Sequence, residues 1–125
     1  MSNPVTAAMQ SSVLYDGTTP CQVKKAIIDG ATSGDNELVA AVSGKKIRVI
    51  ALFAIMTGTA VTIRFESGAG GTALTGQMTP SQGGGFVLPF NPVGWFADTA
   101  AGQSLSMELG GAQSVDGSMA YIEVD

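Results

Sequence analysis

The sequence predicts an all-β protein: a two-sheet antiparallel sandwich, a jelly roll of about eight strands, entered through an extended N-terminal arm. Three observations point there. Apolar residues recur at a period of two through most of the chain, the spacing of a strand with one buried face. Clusters of Gly, Pro, Ser and Asp break this pattern at short intervals, and glycine alone accounts for 17 of the 125 residues. No stretch carries the stripe of an amphipathic helix, and "ADTAAGQS" has room for one turn before its glycine stops it. The length suits one domain, by the usual range of roughly 100 to 200 residues per domain. An arm at residues 1–20 and a sandwich at residues 21–125 divide it.

The arm is polar, rich in Ser and Thr, and too irregular to be a domain. Pro4 and Pro20 bracket it, and Val13, Leu14 and Tyr15 are its natural anchors on a neighbouring subunit. Such a segment either orders on binding, at a cost in chain entropy, or is a disordered tail. "QVKKAIID" and "NELVAAV" follow as strands, separated by the turn-rich "GATSGD". The long "KKIRVIALFAIM" meets "TGT", and "AVTIRFES" answers it with Val61, Ile63 and Phe65 inward and Thr62, Arg64 and Glu66 outward, a hairpin with one buried face. "TALTGQM" and "GGFVLPF" are short strands, and Pro89 marks the second as an edge or irregular strand. "SLSMEL" points Leu105, Met107 and Leu109 inward; Asp116-Gly117 reads as a hairpin turn, and "SMAYIEV" closes the chain.

The long strand poses a problem. Alternation places Ile47, Val49, Ala51, Phe53 and Ile55 on one face and Ile50, Leu52, Ala54 and Met56 on the other, and both faces are apolar. One face packs in the domain's own core. Either another copy of the chain covers the second around a symmetry axis, or a β-bulge switches the alternation midway. Only 13% of the residues are charged, against roughly 25% in an average globular domain. That scarcity of surface charge favours the second copy, and makes Ile50, Leu52, Ala54 and Met56 the expected oligomer interface.

Composition also argues against several function classes. The net charge is −4, and Lys and Arg gather only in the doublets Lys24-Lys25 and Lys45-Lys46. Neutralising phosphates takes clustered cations, so nucleic acid is not expected as a partner. No segment approaches the roughly 20 apolar residues of a membrane span, and the N-terminus lacks the pattern of a signal peptide. The chain is therefore expected to be made in the cytoplasm, without a membrane partner. A single Cys21 and the absence of histidine leave neither a disulfide framework nor a Cys-based zinc site. Cys21 is read as a small hydrophobe.

Three local patterns invite a chemical reading. "GAGGTA", residues 68–73, fits a dinucleotide fingerprint formally, but the residues after it supply no helix to hold a pyrophosphate. "FADTAAG", residues 96–102, shares Asp-Thr with the Asp-Thr-Gly of aspartic proteases, but Ala100 stands in the glycine's place, and turn capping by Asp98 and Thr99 is the simpler role. "DGATSGDNE", residues 29–37, concentrates oxygen ligands suited to calcium, yet matches no known loop spacing and has a turn's composition. With no histidine, no serine triad and no evident carboxylate pair, the sequence predicts no catalytic residue, no cofactor and no metal, and the protein is expected not to be an enzyme.

Most of the aromatic residues gather in residues 83–109, where Phe86, Phe90, Trp95 and Phe96 surround the break at Asn91-Pro92. Phe90, Trp95 and Phe96 form either a platform for a sugar ring or a plug at the end of the sandwich. Their large burial per residue favours the plug.

The succession "SGKKIRVIALFAI", "AVTIRFESGAGGTALTG", "GGGFVLPFNPVGWFADTAAGQSLSMEL" and "GSMAYIEV" resembles small proteins encoded among the virion structural genes of tailed bacteriophages, the jelly-roll head decoration or cement proteins. The resemblance spans roughly residues 22–124 and is one of pattern and phrase, with no catalytic motif. It implies a homotrimer on the capsid exterior at threefold or quasi-threefold positions. There it would clamp neighbouring copies of the major capsid protein against DNA pressure. An acidic chain suits that outer surface. Related small sandwiches of tails and fibres give the alternative expectation, a carbohydrate- or receptor-binding module with Trp95 in its platform.

Overall fold

The computed structural model describes residues 13–125, which form ten strands and no helix. They are β1 (Val13–Asp16), β2 (Thr19–Gln22), β3 (Lys24–Gly30), β4 (Gly34–Val39), β5 (Lys46–Met56), β6 (Ile63–Ser67), β7 (Thr72–Ala73), β8 (Gly85–Leu88), β9 (Leu105–Leu109) and β10 (Val115–Val124). One four-stranded sheet has the order β3-β10-β5-β8, a second has the order β4-β9-β6-β7, and β1 and β2 make a separate hairpin. Every pairing is antiparallel. The chain is an all-β sandwich of two sheets.

Alternation builds the core between the sheets. Ile28, Val49, Leu52, Ala54, Met56, Val115 and Met119 come from the first sheet, and Val39, Ile63, Phe65, Leu105, Met107 and Leu109 from the second. Each aliphatic side chain buried this way contributes roughly 1.5 to 3 kcal/mol of transfer free energy. Phe96 stacks on Phe65 with ring centroids 5.3 Å apart, and Phe86 meets the same ring edge-on at 6.2 Å.

The bulge alternative describes β5. Ala51 pairs with Ala120 and Val49 with Tyr121, so Ile50 has no residue opposite it. Ile47 and Val49 point into the core before the bulge, and Leu52, Ala54 and Met56 do so after it. The expected oligomer interface is corrected accordingly. Ile50, Leu52, Ala54 and Met56 are all buried inside the chain, at 0 to 3% exposure. The switch of parity moves three of the four to the inner face. Ile50 alone turns outward, where Cys21, Ile122 and Val124 bury it in a second cluster with Leu14, Val23 and Ala120 against its edge.

Other expectations shift for identifiable reasons. β5 and β6 are not a hairpin but lie in different sheets, joined by residues 57–62. Asp116 and Gly117 sit inside β10 instead of at a turn. A Cβ on Gly117 would collide with the Phe53 carbonyl oxygen, so glycine there serves close strand approach. Of the expected arm, residues 1–12 lie outside the described residues, while Val13 to Gln22 form the β1–β2 hairpin. Gly17, at φ 63°, makes its turn.

A candidate interaction surface on the outer sheet face

The outer face of β3-β10-β5-β8 is covered over only part of its length among the described residues. At one end the β1–β2 hairpin lies over Ile50, Ile122 and Val124. Arg48 fastens this end: its guanidinium donates two 3.0 Å hydrogen bonds to Asp98, and Nη1 lies 3.9 Å from Asp16 of the hairpin. These carboxylates hold the Arg48 pKa above its ordinary value, the Asp98 hydrogen bond contributing most.

Beyond the hairpin, no described residue covers the face. Register puts Ile27, Ser118, Phe53 and Val87 in one row across all four strands. Ile27 is 77% exposed, Val87 71%, Phe53 48% and Ile55 36%. A groove of about 290 Å³ runs between Phe53 and Val87 on one side and Lys25 and Ala120 on the other. Single exposed hydrophobes are ordinary, but several on one sheet face, here parted only by Ser118, mark an interaction surface. Charges rim it: Lys25 stands opposite Ala120, and Asp29 opposite Asp116. The alternation in "KKAIID" and "FVLPF" contained this surface, but choosing Ile50, Leu52, Ala54 and Met56 as the outer set of β5 put Phe53 and Ile55 inside.

The aromatic segment divides. Phe96, half-buried, packs against the core, while Trp95 is 40% exposed and Phe90 61%. Trp95 Nε1 donates a 2.6 Å hydrogen bond to the Pro89 carbonyl oxygen. With Phe65, Phe86 and Phe96 its ring lines a cavity of about 210 Å³ at the sandwich edge. The backbone after Pro89 continues along β5, through Asn91 N–H to Ile50 O, Trp95 N–H to Val49 O and Thr99 N–H to Ile47 O. Thr99 Oγ1 also accepts the Ile47 N–H at 2.8 Å, so the Asp-Thr pair holds a loop, its aspartate spent on Arg48.

Val13, Leu14 and Tyr15 lie on β1. Leu14 packs on the second cluster, while Val13 and Tyr15 are exposed. In the "DGATSGDNE" turn Asn36 Oδ1 accepts the Thr32 N–H at 3.2 Å, and Nδ2 donates to Thr32 O at 2.9 Å. Glu66, expected on the outward face, is wholly buried there. No protein-family model and no curated protein matches the chain.

Proposed function

We propose that this protein is a bacteriophage virion structural protein, a homotrimeric jelly roll that decorates and stabilises the outside of the capsid. The observation that carries the reading is the patch of exposed apolar side chains Ile27, Phe53, Ile55 and Val87 on the outer sheet face. A second copy is its occupant: the patch is mainly apolar, as the covered centre of an oligomer interface is, and the rim offers Lys25 of one copy to Asp29 or Asp116 of another. The major capsid protein is the partner of the exposed hairpin residues Val13 and Tyr15.

Strand pairing supports the jelly roll. In chain order β3 pairs with β10, β4 with β9, β5 with β8, and β6 with β7. This nesting is a long hairpin folded over on itself, and adding the β10–β5 and β6–β9 ladders closes it into two sheets. Such a unit has little chemistry of its own and works by burying surface between larger subunits.

The test is co-sedimentation of the purified protein with shells assembled from the major capsid protein of the same phage. The wild type pellets with shells, and the Val13→Ser, Tyr15→Ser double variant stays in the supernatant while keeping its oligomeric mass. A wild type that never pellets with those shells overturns the reading.

A further inference from the structure

On the opposite sheet, three carboxylates converge. Register aligns Asp35 of β4, Glu108 of β9 and Arg64 of β6 in one row, and Glu37, Ser106 and Glu66 in the next. One carboxylate oxygen from each of Asp35, Glu66 and Glu108 lies within 4.8 Å of the others. Arg64 Nη2 reaches Glu66 Oε2 at 2.5 Å and Glu108 Oε1 at 3.1 Å. Three carboxylates against one guanidinium leave an excess of two negative charges, with Glu37 adding a third on the same face.

A second observation is independent of this clustering. Among the described residues Glu66 Oε1 is the one buried side-chain oxygen or nitrogen with no hydrogen-bond partner, and the residue around it has no exposed surface. A buried carboxylate oxygen without a donor is costly, and a bound ion is one of the few things that relieves it. The glycine loop after β6 passes beside the site: a Cβ on Gly70, at φ 64°, would lie 3.9 Å from Asp35 Oδ2.

We propose that Asp35, Glu66 and Glu108 form a binding site for a hard divalent cation, calcium above all. Every donor is a carboxylate oxygen, with no nitrogen or sulfur to favour zinc or copper. Calcium accepts several carboxylate oxygens in irregular geometry, whereas magnesium demands a strict octahedron and keeps its waters. Arg64 occupies Glu66 Oε2 and Glu108 Oε1, leaving Glu66 Oε1, Glu108 Oε2 and the Asp35 carboxylate to the ion. Burial and then the neighbouring Asp35 hold the Glu66 pKa above its ordinary value, which is the electrostatic cost a cation would cancel. The competing account is a proton shared by Asp35 and Glu66. The site stands independently of the assembly reading.

The test is calorimetric titration of the full chain with calcium chloride at neutral pH, with thermal unfolding in EDTA and in calcium. Saturable binding at one ion per chain is expected, in the range of about 10⁻⁴ to 10⁻³ M found for extracellular calcium modules, with a calcium-dependent rise in melting temperature. Asp35→Asn, at an exposed position that leaves the core alone, weakens binding at least tenfold and removes most of that rise, while Asp29→Asn on the other sheet changes neither. Absence of saturable binding through the millimolar range, or binding that survives intact in Asp35→Asn, overturns the proposal in favour of the shared proton.

Discussion

Val49 and Ile50, consecutive in β5, are both buried but in different clusters: Val49 lies between the two sheets and Ile50 beneath the β1–β2 hairpin. The bulge opposite Ala120 and Tyr121 separates them. One strand thereby serves the core of the sandwich and the seat of the hairpin. Ile50→Ala is expected to cost about 2 to 4 kcal/mol, as aliphatic truncations in cores do. The loss, read by urea unfolding, should not change with protein concentration; a concentration-dependent loss would return Ile50 to a subunit interface.

Phe53 and Val87 face each other across the β5–β8 ladder on the open face. Phe53→Glu or Val87→Glu should cost the monomer less than about 1 kcal/mol, the range of cross-strand pairs. Either change should abolish self-association measured by sedimentation velocity.

The Arg48 clamp joins β5 to the loop after Pro89. Asp98→Asn removes the charge of a bidentate, mostly buried pair, and should lower stability by about 1 to 2 kcal/mol. Since the pair keeps some contact with solvent, the cost should shrink with added salt. Chemical denaturation at low and high salt checks both.

Glu66 carries a pH signature. Its pKa in the folded protein stands above the ordinary 4.5, first through burial and then through Asp35, with Arg64 pulling the other way and Glu108 adding repulsion. A carboxyl with a raised folded pKa binds more protons folded than unfolded. Its stabilising contribution is therefore complete below about 4.5 and is lost as pH rises through the folded value. In EDTA, melting temperature should fall over this window in the wild type and fall less in Glu66→Gln, with calcium restoring the wild type at neutral pH.

The period-two pattern made the sandwich legible, because "SLSMEL" and "TIRFES" put their apolar residues on one face and β9 and β6 bury that face, although Ser106 and Glu66 on the other face are buried too. It could not reveal the bulge at Ile50, which depends on the register of β10, a strand about seventy residues away in sequence. Nor does local composition distinguish Gly117 at a turn from Gly117 in a strand; only the approach of the Phe53 carbonyl does. The Ser/Thr-rich residues before Pro20 hid a hairpin because its apolar contacts, Leu14 and Cys21 on Ile50 and Ile122, are few and nonlocal. Asp35, Glu66 and Glu108 come from three strands, so no spacing in the sequence announces them.

The most direct test of the central claim, that the open face of β3-β10-β5-β8 is a subunit interface, is the solution mass by light scattering across a dilution series. The account predicts a trimer's mass for the wild type, stable on dilution, and a single chain's mass for Phe53→Glu. A wild type that is monomeric at every concentration would contradict it.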